Sequence, residues 1–347
     1  MLRVMLIFVL LPVTALAQET ATVPASVSAD GVTPAAAPLA AAAAQAPNPR
    51  REARRRPSMV GYIGDSSTTT QIRIRVDSGF GINRPDRAEF FYGKCGCYRG
   101  LPPDHAAYDP KAAGPGPGIL TDLSYGQLYV HAQYAPGPRA ALFAELPVRW
   151  LSPKGFVAGT GSFPNATGIS DLRFGGKAGL VSSPDRQLTF QLQLLSPTGD
   201  ALKGLGTDHW SVEPTLLYAQ RLSDRVGIEA QFGDVIPTGG SAGIPTSGSD
   251  KFSGSVLYYG IGPSFDVYTS DAVRVAPVVE LVGWHVLGGF QTGGDNADAS
   301  GSNIVNLKLG GRVAFAKGSS FYIGYGKALT DAVWYEDILR VEYRLTF

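Results

Sequence analysis

Cysteine is almost missing from this chain, with two residues in 347, Cys95 and Cys97. Two cannot make a disulfide framework. With His105 the nearest histidine, the pair reads as a constrained loop or a local disulfide, and no metal site is expected. Charge is scarce as well, at 17% of residues against about 25% in an ordinary soluble domain. After residue 17 no uncharged apolar run reaches about 18 residues, which excludes a transmembrane helix. No G-x-S-x-G elbow occurs. The glycine sets Gly114 to Gly118 and Gly199 to Gly206 precede no helical pattern, so phosphate cradling is not expected. The body of the chain is not basic, which argues against nucleic acid as a partner. No cofactor motif stands out, and no cofactor is expected.

What is present begins with Arg3, the charge-free run Val4 to Leu11 and the small-x-small set Ala15-Leu16-Ala17. Together they read as a cleaved signal peptide over residues 1–17. Residues 18–58 are rich in Ala, Pro and Thr, and Thr33 to Pro49 holds hardly a large apolar side chain besides Leu39. Such a stretch cannot bury enough surface to offset its ordering entropy, so a disordered periplasmic tail is expected. It carries Arg50, Arg51, Arg54, Arg55 and Arg56 near its end. That cluster suits anionic headgroups or cell-wall polymer, or a plain solvated linker.

From Gln71 the pattern changes to period two, the strand signal. Ile72, Ile74 and Val76 alternate with Gln71, Arg73 and Arg75; Leu188, Phe190 and Leu192 alternate with Gln187, Thr189 and Gln191. A soluble sandwich also alternates, but three features point to a membrane barrel. Many segments run for about ten residues or more, the length a tilted membrane strand needs. Tight turns such as Ser223-Asp224 alternate with long Gly/Ser/Asn-rich loops at 239–250 and 291–302, as outer-membrane barrels are built. Trp150, Trp210, Tyr218, Tyr268, Trp284, Trp334 and Tyr335 lie near strand ends, where aromatic girdles or core filling would place them. The last segment alternates Leu339, Val341, Tyr343, Leu345 and Phe347 with polar residues, and Phe347 resembles the terminal signal read by the barrel assembly machinery.

Thirteen strands are predicted, near 71–77, 87–93, 122–133, 139–150, 168–181, 187–195, 210–221, 225–236, 254–268, 272–287, 303–315, 319–329 and 337–347. Bacterial single-chain barrels are normally even, and the 71–93 region is the weakest. The expectation is an all-β, transmembrane, antiparallel up-and-down barrel over 59–347 with twelve strands, fourteen being the alternative.

A charge facing lipid at the midplane costs roughly 2–4 kcal/mol, so the charged parity must point inward. The expected lumen is lined by Glu145, Arg149, Arg173, Lys177, Glu213, Glu229, Arg274, Glu280, Lys308, Arg312, Arg340, Glu342 and Arg344. Such a lining is either a constriction that orients a solute or a salt-bridged filling. Tyr258, Trp284 and Tyr322 form a candidate aromatic path. His209, Ser211 and Glu213 share a face, but side-by-side neighbours on one strand do not converge on one oxygen, and catalysis is not expected. A structural or adhesive barrel would instead use the loops 239–251 and 290–302.

The blocks RPDRAEFFYGKCGCY (84–98), GISDLRFGGKAGL (168–180), LLSPTGDALKGLGTDHWSVEPTLLYAQRLSDRVGIEAQFGDVIPTGG (194–240) and PVVELVGWHVLGG (277–289) are together similar to an outer-membrane family. It is the one described as Putative MetA-pathway of phenol degradation. The resemblance covers about Gln71 to Phe347, and Ser196 to Gly240 is its most specific part. It implies a cell-outer-membrane barrel that passes small solutes, aromatic or otherwise apolar. The expected partners are outer-membrane lipid and lipopolysaccharide, the barrel assembly machinery and that small-molecule solute.

Overall fold

The computed structural model describes residues 57–82, 96–105, 108–240, 253–289 and 298–347. The signal peptide, nearly all of the tail with its arginine cluster, and the candidate strand at 87–93 lie outside these residues. Fourteen strands form one antiparallel sheet. They are β1 (Gln71–Ile82), β2 (Leu120–Gly137), β3 (Ala140–Phe156), β4 (Ala166–Ile169), β5 (Arg173–Ser182), β6 (Arg186–Leu195) and β7 (Ser211–Arg221). The others are β8 (Val226–Pro237), β9 (Val256–Phe265), β10 (Tyr268–Thr269), β11 (Val273–Val286), β12 (Asn303–Phe315), β13 (Ser319–Ala328) and β14 (Asp337–Thr346).

Each strand pairs with its sequence neighbour, and β1 pairs β14 from Gln71↔Thr346 to Phe80↔Asp337, which closes the ring. Two of the fourteen are short additions. β4 lies beside β3 ahead of β5, and β10 lies beside β11 after β9. Twelve strands therefore make a closed barrel, and β1, at the weak end of the sequence pattern, is one of them. The ring is complete without 87–93.

Two predicted strands are broken, and in both a carboxylate turns inward at the break. Between β4 and β5, buried Asp171 accepts hydrogen bonds from the Gly199 and Thr207 backbone N–H groups and the Thr207 hydroxyl. It thereby holds the loop after β6. Between β9 and β10, buried Asp266 accepts from Arg274 Nε at 2.6 Å. Both are local disruptions of the ladder that re-aim a side chain.

The period-two pattern becomes two faces. Outward side chains such as Ile72, Leu142, Phe190, Phe232, Leu309, Ile323 and Tyr343 are exposed on successive strands. Soluble monomers rarely expose contiguous apolar patches larger than a few hundred Å²; a belt around a closed barrel is the outer-membrane arrangement. Among the described residues no helix is long and apolar enough to cross a membrane. One end of the barrel carries the short turns 183–185, 222–225 and 316–318, and the other carries the long connections.

Candidate functional site

The barrel is filled. Residues 57–70, just before β1, run inside it and contact its wall with side chains and main chain alike. At Thr70 the segment sits at the short-turn end, where its carbonyl accepts from the Phe347 N–H. Its middle, Gly61 to Ile63, reaches the level of Glu280 on β11, and the Tyr62 hydroxyl donates to Gly324 O at 3.1 Å. Its start returns to the short-turn end. Pro57 and Ser58 line an open hollow there, together with Asp185, Arg186, Arg221 and Arg274. The segment is a loop inserted and withdrawn through the same mouth.

Buried backbone groups need partners, and the wall supplies them. Glu280 accepts from three successive N–H groups, those of Gly61 (3.1 Å), Tyr62 (2.8 Å) and Ile63 (2.8 Å), and from the Tyr322 hydroxyl (3.1 Å). Glu229 accepts from Met59 N–H at 2.9 Å, and Gln231 from Gly64 N–H at 2.7 Å. The carbonyls face cations: Arg312 donates to Met59 O and Val60 O, Arg340 to Gly61 O and Lys177 to Asp65 O. Gln187 and Thr189 both donate to Ser66 O, and Gln133 donates to Ser67 O and Thr69 O. The Asp65 carboxylate pairs with Arg344 at 3.1 Å.

Small residues make the space. Met59, Val60 and Ile63 pack on Ala276, Val278, Val282 and Ala314. A Cβ on Gly262 would meet both Val60 and Ile63 at 3.1 Å, and one on Gly61 would meet the Tyr322 ring at 2.2 Å.

The thirteen sequence-predicted lumen residues all take the inner face, and all but Arg173 and Arg274, which are half-buried, are buried. Glu280, Glu229, Arg312, Arg340, Lys177 and Arg344 hold the lumenal segment as described. Glu342 bridges Arg312 (2.7 Å) and Arg344 (2.9 Å), and Glu145 pairs with Arg73 (3.0 Å) and Arg173 (3.6 Å). Arg149 Nε donates to Gln127, Gln193 donates to Glu213, and Arg274 is tied to Asp266. Lys308 Nζ donates to the Tyr335 hydroxyl at 2.7 Å. Sequence reasoning missed Arg73, Arg75, Asp77 and Asp65. The first three share the inner parity of β1; Asp77 accepts from Arg340 Nε at 2.7 Å and from its Nη2 at 2.6 Å.

A family model described as Putative MetA-pathway of phenol degradation matches residues 120–334, from β2 to the loop before β14. The chain belongs to this family. The matched stretch contains the block 196–240 and leaves out β1, β14 and the lumenal segment. No curated protein matches the chain. Solved structures are similar to this member of the phenol-degradation family across its barrel at low identity. An outer membrane channel from Pseudomonas putida F1 is 15% identical over 80% of this chain and 96% of its own, with a TM-score of 0.48. The beta domain of the Bordetella autotransporter Brka is 14% identical over 80% and 100%, with a TM-score of 0.47. The translocator domain of the autotransporter NalP from Neisseria meningitidis is 11% identical over 82% and 90%, with a TM-score of 0.40. Likeness at this level says nothing of cargo.

The aromatics divide. Trp150, Trp210 and Tyr268 are exposed on the outside, as girdle residues would be. Trp334 and Tyr335 are buried in the interior, and Trp284 packs against both, with its ring 4.7 Å from that of Trp334. They belong to an apolar cluster at the long-loop end, with Leu123, Tyr125, Leu151, Phe163 and Leu205. The lumen thus has an apolar half under the long connections and a charged half around the lumenal segment. Tyr258, Trp284 and Tyr322 all face inward, and each has partners of its own. Tyr258 meets the Thr215 hydroxyl, Trp284 joins the apolar cluster, and Tyr322 binds Glu280. His209 lies before β7 and Glu213 is engaged by Gln193. Cys97 is disulfide-bonded; Cys95 is the one other cysteine in the sequence and lies outside the described residues. The loops proposed for adhesion lie mostly outside them too.

Proposed function

We propose that this barrel is an outer-membrane channel for small solutes, aromatic or otherwise apolar, whose resting form is shut by residues 57–70. The observation that carries the reading is the course of that segment. It enters and leaves through one mouth, and its described contacts with the wall are hydrogen bonds, ion pairs and packing. It can therefore leave as a unit without opening the strand ladder. Family membership and the apolar outer belt support an outer-membrane location. Apolar side chains at the long-loop half suit a sparingly soluble guest, and the charged half would orient it. Catalysis has no part in this reading.

A filled interior also favours a second reading, a structural or adhesive barrel that never conducts. Planar bilayers and solute-loaded liposomes separate the two. The full chain is expected to open rarely, while a variant lacking residues 58–68 conducts steadily and admits phenols, hydrocarbons or fatty acids. If that variant is as silent as an empty bilayer and admits no solute, the channel reading fails and the structural one stands.

A further inference from the structure

Tyr62 occupies a built slot. The Lys308 ammonium lies 4.3 Å from the centre of its ring and the Arg340 guanidinium 4.2 Å. The ring meets Tyr322 edge to face, with centroids 6.2 Å apart at 82°. Its hydroxyl donates to the Gly324 carbonyl. Lys308 also lies 4.4 Å from the Tyr335 ring and 5.9 Å from that of Trp284. Two buried cations on one ring favour an electron-rich aromatic guest over a saturated one of equal size. The backbone carbonyl selects a guest that carries a hydroxyl. The slot also stands between two apolar clusters, the one at the long-loop end and the one that Met59, Val60 and Ile63 form with the wall, since Tyr62 packs against both.

From this geometry we infer that the Tyr62 slot is a binding site for small phenols, held in the resting barrel by the chain's own phenol side chain. A phenolic solute takes the place of Tyr62 between Lys308 and Arg340 and donates to Gly324 O. The exchange breaks no covalent bond. It loosens the middle of the lumenal segment, because Tyr62 N–H is one of the three donors on Glu280. The inference deepens the channel reading by naming a solute class, and it rests on that reading for its purpose only. The site itself can be measured without transport.

The experiment is binding to the purified, detergent-solubilised full chain, followed by the fluorescence of Trp284 and Trp334. Phenol is expected to bind Tyr62→Ala at least about tenfold more tightly than the parent protein, because the slot is vacant. Tyr62→Phe keeps a ring in place and should gain nothing. Cyclohexanol, of similar size without π electrons, should bind Tyr62→Ala at least about tenfold more weakly than phenol. Adding Lys308→Met should erase that preference. Should Tyr62→Ala not insert, Tyr62→Cys gives the same answer: phenol, and not cyclohexanol, should protect it from a water-soluble maleimide. Equal binding or equal protection by the two probes overturns the site, as does no gain over the parent. Phenol binding without conductance in the segment deletion would leave the site standing and sink the channel reading; conductance without phenol binding would do the reverse.

Discussion

At the scale of single residues, Glu280 is the hinge pin of the filled lumen. One carboxylate collects three main-chain donors of the lumenal segment. Hydrogen bonds to a charged group contribute about 1.5–3 kcal/mol each, so weakening three of them moves the closed form strongly. Glu280→Gln is expected to raise the open probability in bilayers by at least about tenfold, for which about 1.4 kcal/mol suffices. It should also expose residues 57–70 to protease while the barrel itself stays intact. Gly61→Val should act in the same direction, because its Cβ would come within 2.2 Å of the Tyr322 ring. Closed-state occupancy equal to the parent in both variants would show that these contacts do not hold the segment. The inward direction of Glu280 was legible in the sequence from alternation and the cost of charge in lipid. Its partners were not, because they stand 217 to 219 residues away and belong to a stretch without period.

At the scale of elements, the seam between β1 and β14 closes the ring, and Phe347 stands just past it. Its N–H donates to Thr70 O, while its side chain is 69% exposed. Phe347→Asp keeps the backbone donor and changes the side chain alone. If the side chain is the assembly signal, this variant should leave less inserted barrel and more degraded precursor in outer-membrane fractions; unchanged insertion would remove Phe347 from that role. The strands themselves were largely readable, since an apolar belt against a charged interior forces strict alternation. The breaks at 170–172 and 266–267 were not. Asp171 and Asp266 keep the local period, and only their distant partners Thr207 and Arg274 explain why the ladder stops there. The apolar half of the lumen was equally hidden. Phe163, Leu205 and Trp334 lie in three separate loops without period and meet only once the ring is closed.

At the scale of the whole molecule, a closed ring of twelve strands leaves no free edge, so unfolding has no obvious place to begin. The unheated protein is expected to migrate faster on a gel than the heated one, and to stay with outer membranes through mild detergent. Recovery as a soluble monomer with one mobility would contradict a membrane barrel. The lumenal segment adds a quantitative consequence through Thr70, which ties it to β1. A tethered guest does not dilute. Tyr62 competes for its slot at an effective concentration on the order of millimolar, whatever the volume outside the cell. A free solute at micromolar levels loses that contest unless its own hold is tighter by the same ratio. Tether length therefore sets a threshold: the barrel ignores traces and answers to abundance.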